Sequence, residues 1–190
     1  MFQRSKFGFF DGLSGLFYRT VRLIEAGVTP VYVFDGVPPA FKAGTSAERR
    51  EIRAKAEQDW KFAMAAGKVE EARKAAQVAV RLTGQMIAQS KELLSYMGVQ
   101  VVEAPSEGEA QAAVMAKQGV IWASASQDWD SLLFGSPRLV RNLSVSGRKK
   151  VPGKDAYVEV SPELLELGFV LKELGLNQKQ LIAIGLLVGT

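Results

Sequence analysis

The sequence predicts an α/β fold: a parallel or mixed central sheet flanked by helices, with a helical-hairpin insertion. Two observations predict it. First, VQVVEA (99–104) and VIWASA (120–125) are strand-like runs separated by a helix-like stretch, and this order implies parallel strands joined by a crossover helix. Second, two long, highly charged stretches of helical character precede the strand at 99–104. They indicate a hairpin of helices inserted into the sheet domain.

The elements of the first half can be predicted in order from their residue patterns. Residues 1–12 carry four Phe without a clear period, so this segment stays unplaced. Apolar positions at helical spacing predict a helix over 13–27, and a β-branched and aromatic run predicts a buried strand over 30–36. The insertion, 42–97, is predicted to hold a helix opened by a capping box at Thr45 and Glu48 and a second helix from Gly67 to Met97.

The patterns beyond residue 125 predict shorter elements. RLVRNLSV (138–145) and AYVEV (156–160) are predicted strands. The run Ser161-Pro162-Glu163 predicts a helix start with proline at its first position, and Asn177 predicts the cap of a last helix. A chain of 190 residues is expected to form one domain, here with one elaborate insertion.

The composition limits the chemistry that is available. The chain contains neither Cys nor His, which excludes disulfides and thiolate chemistry and removes the commonest zinc ligand and general base. Catalysis would have to use carboxylates, Lys, Arg, Tyr or Ser. The formal net charge of +4 is too small to indicate a partner. No apolar run is long enough to cross a bilayer and no signal-peptide pattern opens the chain, so we expect no membrane partner.

Five carboxylates lie at or just beyond the ends of three predicted strands. Parallel strands place their C-terminal ends on one side of a sheet, where ligands bind in α/β proteins, so these side chains can converge. Hard oxygen donors without His or Cys favour Mg²⁺ or Mn²⁺ over zinc. Two such ions roughly 3.5–4 Å apart can promote phosphodiester hydrolysis. The five residues are Asp35, Glu107, Glu109, Asp128 and Asp130.

A structural interpretation also exists for each pair of carboxylates. Ser106-x-x-Glu109 fits a capping box, and Glu107 in a first helical turn is favoured by the helix dipole. Asp128 and Asp130 fit a solvated turn. Because both pairs and Asp35 occur together at three strand ends, the two-metal interpretation is the one we favour.

Two groups of basic residues are candidates for phosphate contacts. The first follows the Asp35 strand and enters the long charged helix, where interleaved acids would equally allow a solvated face of ion pairs. The second lies in a stretch, 131–154, that contains no acid, and contact with a phosphate backbone has even weight there. The groups are Lys42, Arg49, Arg50, Arg53 and Lys55, and Arg138, Arg141, Arg148, Lys149, Lys150 and Lys154.

The three tryptophans are predicted to be core residues rather than platforms for stacked bases. They are Trp60, Trp122 and Trp129. Trp129 is the exception to follow, because it lies between two predicted metal ligands.

Four stretches carry a family resemblance: LSGLFYRTVRLIEAGVTPVYVFDGVPPAFK, APSEGEAQAA, ASASQDWDSLLFGSPRLVRNL and LLVGT, spread over residues 13–190. They closely resemble the archaeal flap endonucleases of the structure-specific 5′ nuclease superfamily, which includes the xeroderma pigmentosum group G nuclease. The resemblance implies a 5′ nuclease or PIN-like fold in which the insertion is a helical cap that passes a 5′ single strand. It also implies Mg²⁺ ligands at Asp35, Glu107, Glu109, Asp128 and Asp130. It further implies basic active-site residues at Lys42 and Arg49 and DNA contacts at Arg19 and Gly189. Additional expected DNA contacts are Glu107, Arg50, Arg53, Lys149 and Lys150.

The resemblance is interrupted at both ends. Family members begin with a strand that carries a further metal-binding Asp, whereas only twelve residues precede Leu13 here, and Asp11 has no strand context. The family continues past VGT into another ligand Asp and a helix-two-turn-helix region. We therefore expect the sequence to represent the middle of a nuclease, from a truncated gene, an engineered fragment or a rearranged homologue.

These inferences lead to one favoured function and two alternatives. The favoured function is a Mg²⁺-dependent 5′ flap endonuclease and 5′–3′ exonuclease of replication and repair, using two ions that Mn²⁺ can replace. Its expected partner is DNA with a 5′ flap or a duplex/single-strand junction, in the archaeal cytoplasm at the chromosome. The first alternative is a catalytically weak DNA-binding or interaction fragment, and the second is a metal-dependent phosphatase.

A last pattern concerns the N-terminus. Gln3 with Phe9 and Phe10 matches the spacing of a sliding-clamp-binding peptide, but Lys6 occupies a position where that motif has an aliphatic residue. Short motifs match by chance often, so chance spacing or a junction from engineering is the favoured explanation over a clamp partner.

Overall fold

The computed structural model describes residues 5–39, 43–79, 83–143, 147–150 and 156–189. The predicted residues Gln3, Lys42 and Lys154 lie outside this part of the chain. In chain order the elements are α1 (Ser5–Glu25), β1 (Val31–Phe34), α2 (Ala43–Ala65), α3 (Val69–Ala79), α4 (Gly84–Tyr96), β2 (Gln100–Glu103), α5 (Gly108–Lys117), β3 (Ser124–Ala125), α6 (Asp130–Leu133), β4 (Arg138–Arg141), β5 (Gly147–Lys150), β6 (Tyr157–Val160), β7 (Glu163–Glu166), α7 (Leu167–Leu174) and α8 (Gln178–Val188).

The chain forms two compact units. The helical unit comprises Met1–Phe17 and Pro38–Gly98, and the sheet unit comprises Tyr18–Val37 and Val99–Thr190. The insertion predicted over 42–97 falls within the helical unit. Its assignment as a cap of a single nuclease domain stays a prediction.

The helical unit is built on the pairing of α2 with α3. Small buried residues, Ala56 and Ala63 on α2 and Ala72 on α3, let the two helices approach closely. Gly67 has a positive φ of 69° at the turn between them, a conformation that glycine adopts without a steric penalty. The helix α2 begins at Ala43, two residues before the predicted cap at Thr45, a difference within the usual fraying of helix ends.

The second helix predicted for the insertion is wrong as a single element. The structure has α3 and α4 instead, and Thr83 precedes α4 in an extended conformation with φ −91° and ψ 156°. Its Oγ1 accepts a hydrogen bond from the backbone N–H of Met86 at 3.2 Å. A side chain that caps a new helix start competes with continuation of the preceding helix, and Gly84 adds to this effect.

The sheet unit holds the strands in three groups. Strands β1 and β2 are parallel, with Val31 opposite Gln100 and Phe34 opposite Glu103. Strands β3 and β4 are parallel, and β7 joins β4 in antiparallel orientation. Strands β5 and β6 form an antiparallel pair. The α/β class with parallel and mixed pairing is confirmed, although β2 and β3, predicted to share one sheet, are in separate groups.

A small core fixes the helices against these strands. Leu139 of β4, Leu132 of α6 and Ala113 of α5 are fully or almost fully buried. The buried Thr20 on α1 exchanges a 2.7 Å hydrogen bond with the hydroxyl of Tyr32 on β1. None of the helices within the described ranges combines the length and apolar character needed to cross a membrane.

Several local predictions are wrong. The predicted strand over 120–125 is reduced to two residues. The N-terminal segment, for which no element was predicted, is helical from Ser5 onward. The residues after Pro162 form strand β7 rather than a helix, because Leu164 and Leu165 pair with Val140 and Leu139 of β4. This long-range pairing outweighs the local helix signal. By contrast, Asn177 caps α8 as predicted, in a capping box with Gln180.

Candidate active site

The ends of β1 and β2 are joined by two backbone hydrogen bonds. The Ala104 N–H donates to the Phe34 carbonyl at 2.9 Å, and the Gly36 N–H donates to the Ser106 carbonyl at 2.6 Å. A Cβ at position 36 would lie 2.0 Å from the Ala104 carbonyl oxygen. Only glycine fits there, and this close approach brings Asp35 beside the start of α5.

Asp35 is bound to the N-terminus of α5. Its Oδ1 accepts a 2.7 Å hydrogen bond from the backbone N–H of Gly108, the first residue of that helix. A Cβ on Gly108 would lie 3.0 Å from this oxygen and 3.3 Å from the Val33 carbonyl. Asp35 therefore satisfies a free helix N–H and has its carboxylate orientation set by a residue 73 positions away.

Glu109 points to the loop after β3 rather than to its own helix end. The structure places Glu107 at the N-cap without a side-chain capping bond, so the predicted capping box between Ser106 and Glu109 is wrong. Glu109 Oε1 accepts a short hydrogen bond from Ser126 Oγ instead. The same Ser126 oxygen accepts the backbone N–H of Asp128 at 3.1 Å. Ser126 thus links two of the predicted ligands.

The pKa of Glu109 is set by burial and by three neighbouring carboxylates. Burial is the largest cause and raises this pKa. The charges of Asp128, Asp130 and Asp35 raise it further, while the hydrogen bond from Ser126 lowers it. We call Asp35, Glu109, Asp128 and Asp130 the acidic cluster. Its members lie at the end of β1, at the start of α5, in the loop between β3 and α6, and at the start of α6.

The two aspartates of the cluster differ in setting. Asp128 is exposed and sits in a turn closed by Ser126, which fits the solvated-turn interpretation. Asp130 is half-buried and opens α6. Helix α8 fixes α6 from the other side, because Gln178 Nε2 donates 2.9 Å hydrogen bonds to the carbonyls of Leu132 and Leu133.

The donor chemistry of the acidic cluster fits a hard divalent cation. It consists of carboxylate oxygens, and the raised pKa of Glu109 reports negative charge that a cation would neutralise. In the part of the chain that the structure describes, no three acidic side chains are gathered closely enough to hold one ion between them. The acidic cluster therefore gathers carboxylate donors in one region of the sheet unit, but it does not form a closed coordination sphere.

The predicted basic and DNA-contacting residues are distributed over both units. Arg49, Arg50 and Arg53 lie on α2 in the helical unit, and Lys149 and Lys150 lie on β5 in the sheet unit. Arg19 is exposed on α1. Gly189 forms the C-cap of α8 with a φ of 89°, a left-handed conformation that favours glycine.

Two arginines of the acid-free stretch have acidic partners after all. Arg138 Nε lies 3.6 Å from Glu166, and an Arg141 guanidinium nitrogen lies 3.5 Å from Glu163. The partners come from β7, which is antiparallel to β4. The stretch itself supplies no acid, and sheet pairing brings these two residues acids that are distant in sequence.

The prediction that Trp122 is a core residue is also wrong, and Trp129, singled out above as the exception, is exposed as well. Their exposed fractions are 62% and 50%. Each ring instead stacks with an arginine. The guanidinium carbon of Arg138 lies 4.9 Å from the centre of the Trp122 ring, and that of Arg141 lies 4.6 Å from the centre of the Trp129 ring. Trp60 is half-buried in the helical unit.

Three residues that organise the site were not singled out from the sequence. Gly36 and Gly108 allow close backbone approach, and Ser126 bridges Glu109 and Asp128. The Ser126-x-Asp128 spacing is a known signal for a serine turn. The two glycines carry no local signal, because the atoms they would meet belong to other elements.

Comparison with known proteins places this arrangement in a family. The model of the XPG N-terminal domain matches residues 10–56, and that of the XPG I-region matches residues 98–190. The chain belongs to the XPG family. This XPG-family chain is 60% identical to "Flap endonuclease 1" of Pyrococcus abyssi over 178 residues, which is 94% of the chain and 52% of that protein.

Solved structures agree with the family assignment. The flap endonuclease-1 of Methanococcus jannaschii superposes with a TM-score of 0.63 at 45% identity, covering 95% of this chain and 54% of that one. The catalytic core of Rad2 in complex with DNA substrate superposes with a TM-score of 0.64 at 29% identity, covering 94% and 46%. The resemblance to flap endonucleases and the 5′ nuclease fold are thus confirmed. The XPG-family chain spans about half the length of the curated relatives it matches.

Proposed function

We propose that this XPG-family chain carries the nuclease core of a structure-specific 5′ flap endonuclease and 5′–3′ exonuclease that hydrolyses DNA phosphodiesters in replication and repair. The observation that supports the proposal is the acidic cluster, in which Asp35, Asp128 and Asp130 lie near enough to the half-buried Glu109 to raise its pKa, while Asp35 binds the N-terminus of the helix that carries Glu109. The relatives named flap endonuclease support it, as does the Rad2 core, which is bound to a DNA substrate.

The proposed cofactor is Mg²⁺, as two ions that Mn²⁺ can replace. When bound, such ions supply Lewis acidity and lower the pKa of a water nucleophile. Asp35, Glu109, Asp128 and Asp130 would hold them together with Glu107. The hydrogen bonds from Gly108 to Asp35 and from Ser126 to Glu109 orient two of these carboxylates before any ion arrives.

The basic residues are proposed to act on the phosphates. Lys42 and Arg49 would stabilise the charge that develops on the scissile phosphate. The remaining contacts would position DNA with a 5′ flap or a duplex/single-strand junction. The insertion 42–97 would act as the cap over the single strand. The proposed location is the archaeal cytoplasm, at the chromosome. These positioning residues are Arg19, Arg50, Arg53, Glu107, Lys149, Lys150 and Gly189.

One experiment tests the enzyme directly. A labelled 5′-flap duplex is incubated with the chain in Mg²⁺ and, separately, in EDTA, and cleavage is followed on a denaturing gel. We expect the wild-type chain to cleave the substrate only with Mg²⁺, and we expect Asp128→Asn not to cleave it. The matched control is Glu173→Gln, which removes an exposed carboxylate on α7 and should cleave at the wild-type rate.

A second candidate is a DNA-binding fragment with little turnover. It is favoured by the finding that no three acidic side chains of the described residues are gathered around one point. A gel shift on the same flap substrate in EDTA separates the two functions. Binding without Mg²⁺-dependent cleavage identifies the fragment, whereas cleavage identifies the nuclease. The sliding-clamp peptide stays a prediction, with Phe9 and Phe10 lying on α1.

A further inference from the structure

Strand β4 carries two arginines in matching settings. Arg138 stacks on Trp122 at 4.9 Å, donates to the Trp122 carbonyl at 3.4 Å and pairs with Glu166 at 3.6 Å. Arg141 stacks on Trp129 at 4.6 Å, donates from Nε to the Gln127 carbonyl at 3.1 Å and pairs with Glu163 at 3.5 Å. Each guanidinium thus makes an aromatic stack, a carbonyl bond and an ion pair.

Only one of the two arginines contacts the residues around the acidic cluster. Gln127 and Trp129 flank Asp128, and Asp130 follows at once; we call Gln127–Asp130 the acidic segment. Strand β4 binds the residue just before this segment, because the Ser126 N–H donates to the Val140 carbonyl at 3.2 Å. Arg141 adds a bond at Gln127 and a ring contact at Trp129. Arg138 makes its contacts at Trp122, before β3, where no acid of the cluster lies.

We infer that Arg141 is a positioning residue, which holds the acidic segment against β4 and so sets where Asp128 and Asp130 present their carboxylates. The inference rests on the proposed function in treating these aspartates as metal ligands. A planar guanidinium can stack on a ring and donate along its edge at the same time, whereas an ammonium cannot reproduce both contacts. The ion pair to the exposed Glu163 is the minor contact, since surface pairs contribute little.

A positioning role and a simple charge effect predict opposite changes in metal affinity. If Arg141 acted only as a nearby positive charge, its removal would relieve repulsion and a divalent cation would bind the acidic cluster more tightly. If it holds the acidic segment, its removal loosens two ligands and binding weakens. Outer partners of metal ligands typically change affinity by about 10–100-fold.

The experiment compares matched variants of the chain by two measurements. Hydrogen exchange of the peptide over 126–132 is followed in EDTA, and Mn²⁺ affinity is measured by titration with paramagnetic resonance detection. The variants are Arg141→Lys, Arg141→Gln, Glu163→Gln, Arg138→Lys and Arg138→Gln. The Arg138 pair is the control, because it breaks the same three kinds of contact on the same strand.

We expect both Arg141 variants to speed exchange over 126–132 several-fold and to weaken Mn²⁺ binding by about tenfold or more. Glu163→Gln and both Arg138 variants should keep wild-type values in the two measurements. Should Arg141→Gln unfold the chain, Arg141→Lys carries the comparison, since it keeps the charge.

Three outcomes overturn the inference. One is unchanged exchange over 126–132 in the Arg141 variants, another is tighter Mn²⁺ binding with unchanged exchange, and the third is an equal effect in the Arg138 variants. Failure of the wild-type chain to bind Mn²⁺ would overturn the proposed function instead. The exchange measurement would still decide the positioning role, because it needs no metal.

Discussion

Glu109 of the acidic cluster lies in surroundings that disfavour its charged form. Burial and the charges of Asp128, Asp130 and Asp35 raise its pKa, and the hydrogen bond from Ser126 only partly offsets this. A carboxyl whose folded pKa is raised favours folding when it is protonated. That contribution is complete below the unfolded pKa and is lost as pH rises through the folded pKa. Without metal, the ionisation of Glu109 as pH rises therefore lowers the stability of the chain.

Glu109→Gln should raise the Tm in EDTA at neutral pH, because it removes this charge and keeps an oxygen that accepts from Ser126. A chain of this size gains about 2–4 °C for each 1 kcal/mol, and we expect a rise of about 2 °C. Thermal melts over a series of falling pH should show the difference from wild type shrinking, as Glu109 becomes protonated in both states.

The control is Glu173→Gln, which should not change the melt. Saturating Mg²⁺ should reverse the order, since binding to the folded state stabilises the wild-type chain more than a variant that lacks a ligand. A wild-type chain that melts at or above the temperature of Glu109→Gln in EDTA at neutral pH would show that the cluster is not strained by charge.

At this scale the sequence singled out carboxylates that the structure brings together, but not the residues that orient them; their role as metal ligands stays a prediction. Asp35, Glu109, Asp128 and Asp130 could be selected because acids at strand ends follow a rule of sheet geometry. Ser126 was missed although its turn with Asp128 is local. Gly36 could not be selected, because the Ala104 carbonyl that excludes a side chain there belongs to the residue after β2, distant in sequence.

At the scale of elements, strand pairing accounts for most errors of prediction. Strand β7 was predicted as a helix start, and β5 was not predicted at all. Each is four residues long, and β5, with the sequence GRKK, has none of the apolar alternation that marks a strand. Its partner β6 supplies the hydrogen bonds that a sequence pattern does not show.

The pairing of β5 with β6 makes the proposed DNA contact of Lys149 and Lys150 a testable property of one element. In register, Lys149 lies opposite Val158 and Lys150 opposite Tyr157. Lys149→Glu/Lys150→Glu should lower the slope of log affinity against log salt by about 0.7–0.9 for each phosphate that the variant no longer neutralises. Fluorescence anisotropy on a flap substrate in EDTA, over a salt series, measures the slope.

The control for this variant carries the same change in net charge. Lys172→Glu/Lys179→Glu reverses two exposed lysines on α7 and α8, and it should leave the slope near the wild-type value. Equal slopes for the two double variants would mean that net charge alone governs binding, and β5 would then not contact the phosphates.

At the scale of the whole molecule, the fold class could be predicted because the strand-helix-strand order is a chain-level pattern. The sequence also predicted the insertion, which falls within the helical unit. The division into two compact units could not be predicted, because it depends on which helices pack together, and helical periodicity does not specify partners. The break between α3 and α4 was missed for a local reason, the cap at Thr83.

In the proposed mechanism, the metal ligands and the basic residues belong to different units. The acidic cluster belongs to the sheet unit, whereas Arg49 belongs to the helical unit and Lys42 precedes α2. If the sheet unit binds metal and these cations act on the scissile phosphate, the two steps can be separated by substitution. Arg49→Ala and Lys42→Ala should leave Mn²⁺ affinity unchanged, while Asp128→Ala should weaken it severely.

The same substitutions should lower the rate of cleavage more than the affinity for DNA. If Lys42 and Arg49 stabilise the charge that develops in the transition state, their contribution appears in turnover rather than in ground-state binding. Losing one such preorganised donor typically costs about 10²–10³ in rate. Single-turnover cleavage of a 5′-flap substrate gives the rate, and anisotropy on the same substrate in EDTA gives the affinity.

The control is Lys61→Ala on α2, which removes only an exposed 2.9 Å pair with Glu57 and should cleave at the wild-type rate. If Arg49→Ala and Lys42→Ala cleave as fast as Lys61→Ala, the basic residues of the insertion form a solvated face of ion pairs, and catalysis belongs to the sheet unit alone.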